Sequence, residues 1–290
     1  MATSKVTIQS LAALKVCREP AVFLTAYDYP TATFADRAGV DMLLVGDSAA
    51  MTMLGLENTL SVGMREMLVL TKAVCRGASR TFVVGDMPFN SYQPSNETAV
   101  RNAGAFIKAG CDAVKCEGGA RVMNRVGAIA DAGIAVMGHI GLTPQSIGQL
   151  GGYRVQGKSL DSAEQLADDA RALELAGAFS ILLEAVPAQT AAYVRDAVKI
   201  PVYGIGAGPH VDGQLVISHD ILGSFVGSIK PRFVKRYADL DQVVEAAIRS
   251  YAEEVRTRRF PGPEHTYPID SDQESAILER RKAVRAGEAS

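Results

Sequence analysis

Eight short apolar runs recur along this 290-residue chain, each closed by polar or glycine residues and parted from the next by a stretch of helical or turn character. They are Val22 to Asp28, Asp41 to Ser48, Thr81 to Pro88, Ala113 to Gly119, Ala135 to Thr143, Ser180 to Pro187, Val202 to Gly208 and the weaker Gln214 to Ser218. Such short apolar runs predict strands buried on both faces, the environment of a parallel sheet. Alanine-rich segments between them, such as Asn96 to Ala109, Arg121 to Ala132, Ser162 to Ala176 and Ala188 to Val198, predict helices. Several helical segments stop at Ala-Gly just before a strand, as in AGVD, AGCD and AGIA, where glycine accepts the left-handed conformation that ends a helix. A strand-helix unit repeating every ~25 to 45 residues predicts an α/β fold, a (β/α)8 barrel. Residues 1–267 are expected to form this one catalytic domain, N-terminal helix included, and 268–290 a charged tail with helical character around Glu274 to Val284.

With 48% hydrophobic residues, 21% charged residues and a net charge of −2, the chain lacks the basic footprint that nucleic acid or an anionic membrane calls for. No apolar stretch approaches the roughly 20 residues of a membrane helix. The N-terminal MATSKVTIQS lacks the layout of a secretory signal, so a cytoplasmic location is expected. Cys17, Cys75, Cys111 and Cys116 show no CxxC spacing, which predicts reduced thiols rather than disulfides or zinc ligands.

Acidic residues close four of the runs: Asp47 after MLLVG, Asp86 after TFVVG, Glu117 after AVKC and Glu184 after SILL. In a parallel barrel the strand C-termini face the active-site mouth, so these carboxylates are candidates for a metal site and a base. Lys115 and Glu117 are two apart and therefore share the inward face of their strand. Asp47, Asp86 and Glu117 would supply hard oxygen ligands for Mg²⁺, leaving octahedral positions for water or substrate. The alternative is that each acid caps a helix or turns a loop, and that Lys115 and Glu117 form a buried structural ion pair. His139, ending the fifth run, is either a donor to a substrate oxygen or a satisfied core histidine. Glu184, among apolar neighbours, is either a general base whose proton affinity burial raises or a paired structural acid.

In chain order, LTAYDY, LLVGDSAAMTMLG, VVGDMPF, VKCEGG, VMGHIGLTPQS, GGYRVQG, LLEAVP, GIGAG and RFVKRYADL resemble the segments of the ketopantoate hydroxymethyltransferase family, up to about Tyr267. The resemblance implies a Mg²⁺-dependent barrel of the phosphoenolpyruvate and pyruvate-utilising type. Such an enzyme carries a one-carbon unit from 5,10-methylenetetrahydrofolate to 3-methyl-2-oxobutanoate, giving 2-dehydropantoate and tetrahydrofolate in pantothenate synthesis. It further implies a metal site at Asp47, Asp86 and Glu117, oxoacid binding by Asp47, Ser48, Asp86 and Lys115, Glu184 as proton acceptor, and a homo-oligomer, commonly a decamer. His139 is a second candidate for moving a proton. Ser61 and Gly63 depart from a TLPVT-like stretch, Cys116 replaces a common leucine, and the tail outruns the usual ending. None of these removes a proposed ligand or base.

Two other functions fit the same residues: a different metal-dependent enzyme that makes or breaks C–C bonds of a 2-oxoacid, such as an isocitrate lyase relative, and a non-catalytic binding barrel. A lyase of that kind carries a cysteine-bearing catalytic loop, which this sequence does not show. GIGAG lacks the ending of a P-loop and the spacing of a dinucleotide fingerprint, and reads as close packing at the barrel rim. LGGYRVQG reads either as a loop that folds over substrate or as a surface turn.

Overall fold

Side chains placed just ahead of the helices start many of them. Thr7, Asp28, Ser95 and Ser159 each accept a hydrogen bond from a backbone N–H of the first turn that follows, satisfying one of the donors a helix start leaves open. The resulting helices are α1 (Ile8–Cys17), α2 (Tyr29–Ala38), α3 (Ala49–Thr52), α4 (Met64–Gly77), α5 (Asn96–Ala109), α6 (Met123–Asp131), α7 (Ile147–Leu150), α8 (Leu160–Leu175), α9 (Ala188–Asp196), α10 (Ser218–Leu222), α11 (Leu240–Arg256) and α12 (Ser271–Arg285). The computed structural model describes residues 4–227 and 231–287. Among them, no helix is long and apolar enough to cross a membrane.

All eight expected strands form: β1 (Ala21–Thr25), β2 (Met42–Val45), β3 (Phe82–Asp86), β4 (Ala113–Glu117), β5 (Val136–Gly141), β6 (Ser180–Glu184), β7 (Val202–Ile205) and β8 (Gly213–Val216). Each pairs in parallel with its sequence neighbours, and β8 closes on β1, giving a barrel. The strands end short of the apolar runs because the last residues of each run leave the ladder to build the loops at the mouth. Asp28, for example, leaves β1 to cap α2.

Strand alternation divides the core in two. Phe23, Met42, Leu44, Phe82, Val84, Ala113, Met137, Leu182, Tyr203 and Leu215 fill the barrel, and Leu11 of α1 joins them. Leu43, Val45, Val83, Val114, Ile181, Leu183 and Val202 belong to the layer shared with the helices. The same parity carries on to the strand ends. Asp86 follows inward Val84, Lys115 and Glu117 follow Ala113, His139 follows Met137, and Glu184 follows Leu182.

Contacts divide the chain into two compact units, with the barrel lying in the one that ends at Asp239. The unit from Leu240 onward holds α11 and α12, neither with a buried residue, and stacks Tyr251 on Phe260 and Phe260 on His265. Helix α12 extends beyond the Glu274 to Val284 stretch expected from sequence.

Gly141 ends β5 at φ +89°, and a Cβ there would lie 2.3 Å from the Glu184 carbonyl oxygen. Both the backbone sign and the space demand glycine. Gly141→Ala is expected to lower stability by on the order of 3 kcal/mol and to displace Glu184, as chemical denaturation and a loss of turnover would register.

Candidate active site

The four acids, the lysine and the histidine singled out in the sequence all line one cavity of about 710 Å³ at the C-terminal ends of the strands. Asp86, Lys115, Glu117 and His139 are at most 3% exposed and Asp47 5%, whereas the Glu184 side chain is 19% exposed. The floor is therefore sealed and Glu184 stands at its edge.

Lys115 organises the floor. Its Nζ lies 2.9 Å from Asp86 Oδ1, 3.2 Å from Glu117 Oε1 and 3.0 Å from His139 Nδ1. Burial disfavours the ammonium, but the charges of Asp86, Glu117 and Asp47 outweigh it and raise the Lys115 pKa above its ordinary value. Burial likewise opposes ionisation of Glu117, yet Lys115 and His139 hold its carboxyl down at about 2. The Lys115–Glu117 ion pair, the alternative weighed from the sequence, does form, but it is one arm of a network that includes Asp86.

His139 bridges this network to the edge, with Nδ1 3.2 Å from Glu117 Oε1 and Nε2 3.2 Å from Glu184 Oε2. Burial and Lys115 push its pKa down, and Glu117 and Glu184 overcome them, lifting it to about 9. Where Lys115 donates to Nδ1, the ring's own proton sits on Nε2 and faces Glu184. The imidazolium keeps that proton as well.

Asp47 lies beyond the end of β2 and caps no helix; its Oδ2 accepts from Gln145 Nε2 at 3.0 Å, and its N–H donates to Asp86 Oδ2 at 3.0 Å. Burial, and then the Asp86 and Glu117 charges, raise the Asp47 carboxyl well above the usual range. Burial also raises Asp86 against the pull of Lys115. Among the described residues, Lys115 and His139 are the cations within 3.2 Å of Asp86, Glu117 and Glu184, with Arg154 and Arg232 further out in the same cavity, and the four gathered acids suit a divalent cation.

Among the described residues, no three His, Cys, Asp or Glu side chains close into a ready-made coordination sphere. Mg²⁺ does not need one, because it is commonly held by one or two carboxylates with water and substrate completing the octahedron. Asp47, Asp86 and Glu117 are the carboxylates that suit it, directly or through water; Asp86 is engaged by Lys115 and the Asp47 N–H, and Glu117 by Lys115, His139 and the Gln145 N–H.

Sequence reasoning missed three polar residues that shape this floor. Gln145 ties Glu117 Oε2 to Asp47 through its backbone and side-chain nitrogens. Tyr92, fully buried, accepts from the Glu117 N–H at 2.9 Å and has its hydroxyl 3.0 Å from Gln145 Oε1. Tyr27 sets Ser48 through a 2.7 Å hydroxyl contact. None carries charge at neutral pH, so a search for titratable clusters passes over them; Gln145 and Tyr27 lie inside the quoted TPQS and TAYDY segments.

The glycine motifs resolve. A Cβ on Gly206 would lie 2.6 Å from the Phe233 ring and one on Gly208 2.6 Å from the Ala188 Cβ, so GIGAG is a packing motif at the rim. Tyr153 to Val155 of the GGYRVQG loop line the cavity, with Gly151 and Gly152 at φ +68° and +115°. All four cysteines are free and none lines the cavity.

Residues 5–263 match the family described as ketopantoate hydroxymethyltransferase. A 3-methyl-2-oxobutanoate hydroxymethyltransferase of Syntrophobacter fumaroxidans is 53% identical over 265 residues, covering 91% of this chain and 93% of the relative. One of Carboxydothermus hydrogenoformans is 50% identical over 277 residues, covering 95% and 99%. Among solved structures, 2,3-dimethylmalate lyase, a member of the PEP mutase/isocitrate lyase superfamily, superposes with a TM-score of 0.57 at 18% identity over 97% of this chain and 98% of that one, which speaks for the fold.

Replacing the central cation tests the electrostatic account without any assay of turnover. Lys115→Met leaves Asp86 and Glu117 buried without their ammonium partner and is expected to destabilise the barrel by roughly 3–5 kcal/mol, read from urea unfolding at neutral pH.

Proposed function

The chain belongs to the ketopantoate hydroxymethyltransferase family, and from that premise and the barrel mouth we propose how it acts. It is an enzyme that transfers a hydroxymethyl group to 3-methyl-2-oxobutanoate, giving 2-dehydropantoate. In our reading the donor is 5,10-methylenetetrahydrofolate and the resident cation is Mg²⁺. The observation that carries the mechanism is the juxtaposition of a sealed, cation-organised floor with one carboxylate, Glu184, at its open edge.

Asp47, Asp86 and Glu117 would hold Mg²⁺, which would supply the Lewis acidity that makes the carbon next to a 2-oxo group easier to deprotonate. The chain's own residues do the rest. Ser48, fixed by Tyr27, orients the oxoacid, and Lys115 offsets negative charge that develops on it. Glu184 takes the proton from C3, and His139, whose Nε2–H lies 3.2 Å away, steadies the Glu184 carboxylate before the transfer. C3 then bonds to the folate-borne methylene carbon, one water supplies the hydroxyl oxygen, and the two C–N bonds break as the nitrogens take up the C3 proton and a proton of that water, leaving tetrahydrofolate. An isocitrate-lyase-like reaction is less well supported, since no cysteine reaches the cavity. The reading is completed by a cytoplasmic homo-oligomer, decameric as the family resemblance implies.

The test is deuterium entry at C3 of 3-methyl-2-oxobutanoate in D₂O, followed by NMR with and without Mg²⁺. Metal-dependent exchange is expected in the wild type and its loss in a folded Glu184→Gln variant; exchange that persists in that variant moves the base elsewhere. Gln145→Leu, which removes the side-chain tether on Asp47 and keeps the backbone bond to Glu117, is expected to cut kcat/KM by about 10- to 100-fold, with circular dichroism unchanged.

A further inference from the structure

The oxoacid accounts for the floor of the cavity and leaves its outer wall unexplained. A volume of about 710 Å³ falls in the range of sites for drug-sized ligands, roughly 300–1,000 Å³, and is more than a small branched oxoacid fills. The outer wall also differs in kind from the floor. Tyr153, Phe225 and Phe233 offer aromatic surface there, and Tyr153 and Phe233 are 46% and 42% exposed. Arg154, Arg232 and Asp220 supply the charge.

These three charged groups lack the partners that the floor residues have. Among the described residues, no N–H or O–H donates to the Asp220 carboxylate, and no oxygen engages either guanidinium. Asp220 lies in α10, just after β8, and is partly buried. Burial raises its pKa, against the opposing charge of Arg236. A partly buried carboxylate without donors is costly unless a ligand brings them.

A tetrahydropterin brings them: its N3–H and 2-amino group form an adjacent donor pair that one carboxylate accepts in fork fashion. The flat p-aminobenzoyl ring suits an aromatic wall, and the glutamate carboxylates suit exposed guanidiniums. We infer that Asp220 reads the pterin edge, that Tyr153, Phe225 and Phe233 flank the ring system, and that Arg154 and Arg232 receive the glutamate. This assignment rests on the reaction's being folate-dependent, as proposed above. It sets the cofactor across the barrel mouth, with its pterin over the β8 end, while the floor acids hold the oxoacid.

Steady-state kinetics with 5,10-methylenetetrahydrofolate and with its pteroate counterpart, which lacks the glutamate, separates the roles. Asp220→Asn is expected to raise the KM of both donors roughly 10- to 100-fold while the KM of the oxoacid stays put. The double variant Arg154→Gln, Arg232→Gln should raise the KM of the folate to that of the pteroate and leave the pteroate's unchanged. A folate KM unmoved by D220N, or a preference for folate over pteroate that survives the double variant, overturns the assignment. Loss of folate and oxoacid affinity together in D220N also overturns it, since that points to general damage. C3 exchange in the wild type, measured without folate and again after tetrahydrofolate is added, tells the two readings apart. If exchange is present and the folate KM does not move, this assignment alone fails; if exchange is absent, the proposed function fails and takes this assignment with it.

Discussion

One ammonium group, that of Lys115, lets this barrel keep three carboxylates in its floor. Taking a lysine and several acids out of water costs several kcal/mol per ion, and only mutual proximity returns that energy. Nζ sits within 3.2 Å of carboxylate oxygens from two neighbouring strands. The parallel register sets Asp86 beside Lys115, and the inward parity of β4 sets Glu117 two residues on. The charges are thus consequences of strand pairing, and strand pairing at the mouth depends in turn on the charges. Removing a single partner leaves the others unbalanced.

The polar side chains without charge finish what the ions begin. Gln145 reaches both Asp47 and Glu117 from the loop after β5, and Tyr92 supports Glu117 and Gln145 from the loop after β3. The carboxylates are therefore held in place before any substrate arrives, and little reorganisation is left for the reaction to impose.

Much of this was legible in the chain. The eight apolar runs gave the strands in order, because a strand buried on both faces has to be apolar throughout. Lys115 and Glu117 could be assigned to one inward face from spacing alone. Strand ends were less visible, since residues such as Asp28 and Asp47 continue an apolar run while leaving the ladder for a loop. Gln145 and Tyr92 escaped notice for a different reason. Their roles come from contacts between loops that are 25 to 98 residues apart in sequence, and no local pattern records such a meeting. Asp220 looked ordinary for the same reason, until closure of β8 on β1 brought it round to the mouth.

Helix α1 places Leu11 among the residues that fill the barrel, so the interior is packed at the end away from the acids. Among the described residues, the cavity is thus lined by acids and Lys115 at the strand ends and by Tyr153, Phe225 and Phe233 further out, so a small molecule seated among the acids lies beneath aromatic surface.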